Sequence, residues 1–329
     1  MTYSSGGLIQ ATDYNGFVST TSGANINATW STGSGNGGWG QTAIGTVAQG
    51  GTVTATQWAS LVNTLATMGS QTGTTLTSRT APTAGQTITA LAAVNTDITN
   101  CYNNRGNAVG SGTAYGTFSG TTSKTAATSN GTQGTWTITF THTVTFPSAD
   151  QARYFWNAGG IVKIQYGKSS TGTDIDPDWN TFAGYCGSIN ITGGAQTIAS
   201  QAYTGTTRLN GTGGTQTTLA TTTGWYALTS TPVTLFKLNN TNSPYTGEYI
   251  QTTAAATSST VLTLVTTWVQ PAVSAAGTTT NISGGTAVAS PATTIGAATA
   301  PTTLVTYVPP STTYLTNSWG TPAIAASVA

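Results

Sequence analysis

Between Thr135 and Pro147 apolar and polar side chains alternate without a break. Trp136, Ile138, Phe140, His142, Val144 and Phe146 fall on one face, and Thr137, Thr139, Thr141, Thr143 and Thr145 on the other. Period two with one apolar face predicts a half-buried β-strand, and Thr suits it because its branched Cβ fits the pleat. Pro147 ends the strand. Ser148 and Gln151 stand at capping-box spacing and start a short helix through Trp156; Gly159-Gly160 breaks it, and Ile161 to Tyr166 resumes as a strand. A further helix is predicted from Pro177, capped by Asp176, with Trp179, Phe182, Cys186 and Ile189 on its apolar face. Beyond Gly194, strands are predicted at 196–203, 217–222, 225–229, 233–238, 246–252, 260–269 and 303–308. Val261 to Val269 is apolar on both faces, which predicts a position inside its sheet.

The first hundred residues follow a helical period instead. Ile9, Tyr14, Phe17 and Val18 form a short apolar set around Thr12, read as an N-cap. A Gly-rich loop, 31–40, holds Trp39. Thr54 and Gln57 make a capping box ahead of Trp58, Leu61, Val62, Leu65 and Met68, with Gly69 as the stop. A second helix reads Leu91, Val94, Ile98, Cys101 or Tyr102, and Arg105, stopping at Gly106. Residues 107–133 are Gly, Ser, Thr and Ala with little period and are read as a linker. The predicted organisation is a helical docking segment at 1–106, that linker, and a β-rich domain at 134–329 with short inserted helices. The fold class is mainly β with an N-terminal helical segment and a β-sandwich or fibre-like C-terminal domain. Residues 272–302 are Ala/Thr/Gly low complexity, read as a loop or extended arm.

Composition narrows the function more than the fold. Charged residues are 5 % of the chain and the formal net charge is +1, whereas aromatics reach 9 %. Disordered chains have few aromatics and high net charge, so this chain is expected to fold. A surface of Thr, Ser and Asn gives little mutual repulsion and suits a protein inside an assembly. The basic residues are scattered between Arg79 and Lys237, so nucleic acid is not expected as a partner. The start of the chain has no basic region followed by an apolar one, and no run is long enough to span a bilayer; neither a signal peptide nor membrane insertion is expected.

The reactive inventory is one His, one Glu and six Asp. His142 lies on the apolar face of its strand and is read as a hydrogen-bonded core residue. Asp174, Asp176 and Asp178 alternate and could offer oxygens to Ca²⁺, but the simpler reading is a helix N-terminus. Glu248 with a distant Asp could make a glycosidase pair, but no motif favours it. Cys101 and Cys186 are read as isolated buried thiols, with one bridge as the alternative. No catalytic residue, metal or cofactor is expected. Trp225, Tyr226 and Tyr245 are candidates for sugar stacking; core or subunit interface is the favoured reading of all three.

Two stretches resemble a known family. One is Thr12-Asp13-Tyr14-Asn15 with Gly37-Gly38-Trp39-Gly40-Gln41 and the helix around Trp58 and Leu61. The other is Ala149-Asp150-Gln151-Ala152-Arg153-Tyr154-Phe155-Trp156-Asn157-Ala158-Gly159-Gly160. Both resemble virion structural proteins of cyanophages and other tailed phages, over roughly 8–70 and 136–166. The chain departs from that pattern at Thr67-Met68-Gly69-Ser70-Gln71, where relatives carry Arg and His. The resemblance implies a non-enzymatic tail, neck or fibre subunit, located in the virion. Other tail or neck proteins would be its partners; self-association, as a trimer, is expected from the weakly charged Thr, Ser and Asn surface and from low-complexity stretches that need a partner surface to order. Tyr14, Trp39, Trp58, Leu61 and Leu65 would carry docking. Asp150, Arg153, Tyr154, Phe155, Trp156, Gly159 and Gly160 would form a plug over the end of a β-sandwich, with Arg153 able to pair with Asp150. A host-surface glycan adhesin is the second reading, and a polysaccharide depolymerase the third.

Overall fold

The computed structural model describes residues 10–19, 23–84, 91–120, 132–133, 136–169, 175–242, 245–271, 273–274 and 300–329. Ile9, Asp174, residues 121–131 of the proposed linker and residues 275–299 of the low-complexity arm lie outside them.

The long alternating segment becomes β3 (Trp136–Thr145), whose even-numbered side chains are buried from Trp136 to Val144. It pairs with β10 (Val261–Gln270) and β13 (Ala323–Val328) in an antiparallel sheet completed by β9 (Tyr249–Ser258), β8 (Val233–Asn239) and β7 (Thr215–Leu219). β10 lies between β3 and β9, the interior place its two apolar faces require. A second antiparallel sheet runs β1 (Tyr115–Gly120), β12 (Thr302–Val308), β4 (Ile161–Gly167), β5 (Ser188–Ile198), β6 (Gln201–Leu209). The sheets face each other: Tyr166 of β4 stacks on Phe236 of β8 and donates or accepts at 2.8 Å with Thr252 of β9. The protein is therefore mainly β, a sandwich-like pair of sheets preceded by helices.

Aromatic clusters close the two ends of the sandwich. At the Trp136 end, Trp179 of α6 (Ile175–Cys186) packs on Trp136 and Trp268, with Phe182 of the same helix against the Trp179 ring. At the Phe146 end, Phe155 and Trp156 of α5 (Ala149–Asn157) pack on Phe146, and Trp156 stacks on Trp225 at 5.5 Å. These rings belong to the stretch read from the sequence as a plug. Ser148 caps α5 by accepting from the Gln151 N–H at 3.2 Å. A Cβ on Gly160 would sit 2.4 Å from the Phe155 ring, so the turn back into β4 has room only for glycine there.

The helices are α1 (Ala11–Val18), α2 (Ile26–Trp30), α3 (Ala55–Thr72) and α4 (Leu91–Asn103). Several boundaries differ from the sequence reading. Gln10, not Thr12, precedes α1, and its backbone N–H reaches the Asp13 carboxylate at 3.3 Å. The capping box Thr54–Gln57 opens α3 as expected, but α3 passes Gly69 and ends at Gly73, which has φ 68°. α6 starts at Ile175, so Asp176 lies within its first turn. It stops at Cys186, and Ile189 belongs to β5. Residues 225–227 are a 3-10 turn rather than a strand.

The helices have no core of their own. One cluster of buried side chains runs from Tyr14, Phe17, Trp39, Trp58, Leu61 and Leu65 through Phe155 and Trp156 to Trp268 and Trp319. The segment after them is not all linker: Ala108 and Ser111 make bridges to Ile198 and Pro310, and β1 pairs with β12.

Candidate functional site

Tyr14, Trp39, Trp58, Leu61 and Leu65, the expected docking residues, are each at most 2 % exposed. Tyr14 and Phe17 pack on the Trp58 ring. Their helical spacing marks an apolar face, and the chain itself covers that face. A partner cannot reach these side chains, so they hold the molecule together instead.

Trp39 shows how. The loop folds back on α2, with the backbone N–H groups of Trp39, Gly40 and Gln41 donating to Thr29, Ser31 and Trp30 at 2.8–2.9 Å. This sends the Trp39 ring into the interior, where its Nε1 donates to the Arg105 carbonyl at 3.0 Å and to the Asn157 carbonyl at 3.1 Å. Asn157 replies: its Nδ2 donates to the Gly37 and Gly38 carbonyls at 2.8 and 3.0 Å. Arg153 donates to the Thr32 and Gly37 carbonyls and to Asp150 at 2.9 Å, so the expected i,i+3 pair exists and is part of a larger tie. Gln41 donates to the Thr316 carbonyl and accepts from its N–H at 3.0 and 2.9 Å. The loop around Trp39 and helix α5 thus meet in one joint, which also takes in the C-terminal loop.

Gly40 gives a direct test of that joint. It has φ +70°, and a Cβ there would lie 2.4 Å from the Tyr154 ring and 2.8 Å from Ser318. The left-handed backbone alone costs a non-glycine about 1–2 kcal/mol, and overpacking about 1–3 more. Gly40→Ala should therefore lower stability by about 2–5 kcal/mol in urea unfolding. Gly45→Ala, which meets nothing within 4 Å, should leave the midpoint in place; equal midpoints for the two variants would contradict the close approach.

The reactive groups lie inside. His142 is 1 % exposed; burial pushes it down to about 4, and its Nε2 has no hydrogen-bond partner among the described residues, unlike the hydrogen-bonded core histidine expected. Cys101 and Cys186 are free and buried, and burial pushes both thiols up, Cys101 to about 12. Neither a nucleophile nor a bridge results.

One cluster could not be read from the sequence. Asp178 at the start of α6 accepts from Asn240 Nδ2 at 2.5 Å and from Asn242 Nδ2 at 2.8 Å. The same Asn240 amide donates to Glu248 Oε2 at 2.8 Å. Glu248 is fully buried, and burial pushes it up to about 10; Asn240 acts against that shift and the Asp178 carboxyl with it. A glycosidase holds its two carboxyls roughly 5–10 Å apart with the sugar between them. Here one amide bridges both, so no sugar fits between this pair. No group of three or more His, Cys, Asp or Glu suited to a metal occurs among the described residues. Asp178 is committed to two amides, and Asp174 and the Asp176 side chain are outside the described residues.

Three aromatics were candidates for stacking on sugar. Trp225 and Tyr245 are buried, whereas Tyr226 is 42 % exposed. Other large apolar side chains at the surface are Val109, Tyr115, Val233 and Tyr314. No described helix is long and apolar enough to cross a membrane. Comparison with known proteins finds no matching family model, no similar curated protein and no similar solved structure.

Proposed function

We propose that the chain is a non-enzymatic structural subunit of a bacteriophage particle, from its tail, neck or fibre. It acts by self-association, as a trimer, and by docking to neighbouring virion proteins. One observation carries this reading: the loop around Trp39 and helix α5, from the two stretches resembling tailed-phage virion proteins, converge on a single joint made of amides, carbonyls and packed rings. The placement of the reactive groups agrees. His142, Cys101, Cys186 and Glu248 are all inside and uncharged near neutral pH, which suits support and not chemistry.

Because the helical apolar face is covered, docking falls to the surface. β1 and the residues before it run antiparallel to 302–310, with Tyr115 opposite Tyr307 and Ser111 opposite Pro310. This ribbon exposes Tyr115, and Val109 just before it in sequence and Tyr314 just after it are exposed too. Exposed aromatics with an apolar body and polar tip are typical of interfaces, and we assign this ribbon to contact with further copies of the chain.

Sedimentation velocity of the purified chain at micromolar concentration should give the mass of a trimer. Tyr115→Asp with Tyr314→Asp should shift it to monomer without changing the circular dichroism. An antibody to the chain should label purified phage particles that contain it. A monomeric wild type together with unlabelled particles would overturn the reading.

A further inference from the structure

We infer that the protein has a binding site for one sugar ring, favouring one that bears a carboxylate, at the bulge of β5. The inference stands apart from the virion reading. The site is a cavity of about 160 Å³, below the roughly 300–1,000 Å³ of pockets for drug-sized ligands. It is large enough for a single ring and not for a chain. Asn36, Asn103, Arg105, Gln196 and Tyr226 surround it. They come from the Gly-rich loop, the α4 end, β5 and the 3-10 turn.

Each wall suits a sugar. Tyr226 is 42 % exposed, yet its hydroxyl is tied inward, donating to Asn157 Oδ1 at 2.5 Å. The part left facing outward is therefore the ring, an apolar surface of the kind that sugar C–H groups pack on. The ring can lie close to the backbone because Gly193 has no side chain: a Cβ there would be 3.2 Å from Tyr226 Cε2. Side-chain amides both donate and accept, which matches hydroxyls that do the same. Gln196, 8 % exposed, gives its Nε2 to the Trp156 carbonyl at 2.9 Å, and its Oε1 has no partner among the described residues.

Arg105 sets the preference. Its guanidinium lies 4.3 Å over the Tyr102 ring and donates to Asn36 Oδ1 at 2.8 Å, to the Asn36 carbonyl at 3.2 Å and to the Tyr102 carbonyl. No acidic partner for it occurs among the described residues. A guanidinium has five N–H groups, so donors remain for a carboxylate, its natural bidentate partner.

The bulge opens the site. The register of β5 against β6 shifts between Ile191 and Ala195, and bulges commonly lie beside binding sites. Gly194 lines the cavity, and a Cβ on it meets nothing within 4 Å. A leucine at 194 therefore adds bulk at the cavity wall without a clash at its Cβ, and Gly194→Leu is the variant expected to fill the space.

The test is saturation-transfer NMR on the full chain with glucose, galactose, N-acetylglucosamine, glucuronate and galacturonate, and acetate as the plain anion. Transfer to the sugars is expected, with millimolar dissociation constants several-fold lower for the uronates than for glucose and galactose. Gly194→Leu should abolish transfer while keeping the wild-type melting temperature. Tyr226→Phe, which retains the ring, should keep it. No transfer to any sugar, transfer surviving in Gly194→Leu, or acetate binding as well as the uronates would each overturn the proposal.

Discussion

A chain beginning at Gly131 should fail to fold. The sequence suggests the opposite, because a Gly/Ser/Thr-rich stretch separates the helical pattern from the β-rich one. The joint decides the matter. Cutting there removes the Thr32, Gly37 and Gly38 carbonyls that accept from Arg153 and Asn157. It removes Gln71, whose amide donates to the Ala158 carbonyl, and Gln41, which holds Thr316. It removes β1, the edge neighbour of β12. It also empties the space of Trp39, which is fully buried. A hydrogen bond of this kind contributes roughly 1 kcal/mol net, and a lost core tryptophan costs about 3–5 kcal/mol. Together these approach the ~5–15 kcal/mol that a whole domain has to lose. Circular dichroism and limited proteolysis of the fragment should show an aggregated or rapidly digested product. A soluble fragment with a single cooperative melt would mean that the sandwich stands alone.

Replacing Glu248 by Gln should stabilise the protein at pH 8 by about 3 kcal/mol or more. In the folded state Glu248 stays protonated up to about 10, against an ordinary value of 4.5. The raised value means that its contribution is fully present below pH 4.5 and is lost as pH rises towards 10, at ~1.4 kcal/mol per pH unit. His142 acts in the opposite sense. Its folded value of about 4 lies below the ordinary 6.5, so its contribution is present above pH 6.5 and is lost as pH falls towards 4. Between 4.5 and 6.5 the two slopes cancel, and above 6.5 only that of Glu248 remains. Urea unfolding of the wild type should therefore show a plateau over pH 4.5–6.5 and a decline towards pH 8. Glu248→Gln, which keeps a neutral donor in place, should remove the decline and uncover the His142 rise. Parallel pH profiles for the two proteins would contradict a protonated Glu248.

Elements whose signal is local were legible. β3 followed from strict alternation, β10 from two apolar faces, and α3 and α5 from their capping boxes. The β5–β6 hairpin was not, and 196–203 read as one strand across it. Its turn is Ala199-Ser200, with φ 48° and 67°, where Gly or Asn is the usual marker. β13 was missed because its side chains are mostly exposed and small. Gly69 resembles a helix stop, but its lack of a side chain admits Leu76, whose Cδ1 would lie 2.6 Å from a Cβ there.

The sites were less legible than the strands. Periodicity marks Trp58, Leu61 and Leu65 as buried without saying what buries them, which is how an internal face passes for a docking face. Glu248, Asp178 and Asn240 come together only through α6 and the β8–β9 connection, and no spacing reports that. Tyr226 was visible as an aromatic, but nothing near it in sequence points to Arg105 or Asn36.

The pairing of β3 bears on how the chain reaches this state. Its neighbours are β10, which begins at Val261, and β13, which begins at Ala323. Contacts so distant along the chain must close long loops before they are rewarded, and such topologies fold slowly. During synthesis from the N-terminus, a complete strand of alternating Thr and large apolar residues waits with both edges open until more than a hundred further residues have emerged. An unpaired strand of this kind is the usual seed of aggregation, so the yield of native subunit is governed by how well β3 is shielded in that interval.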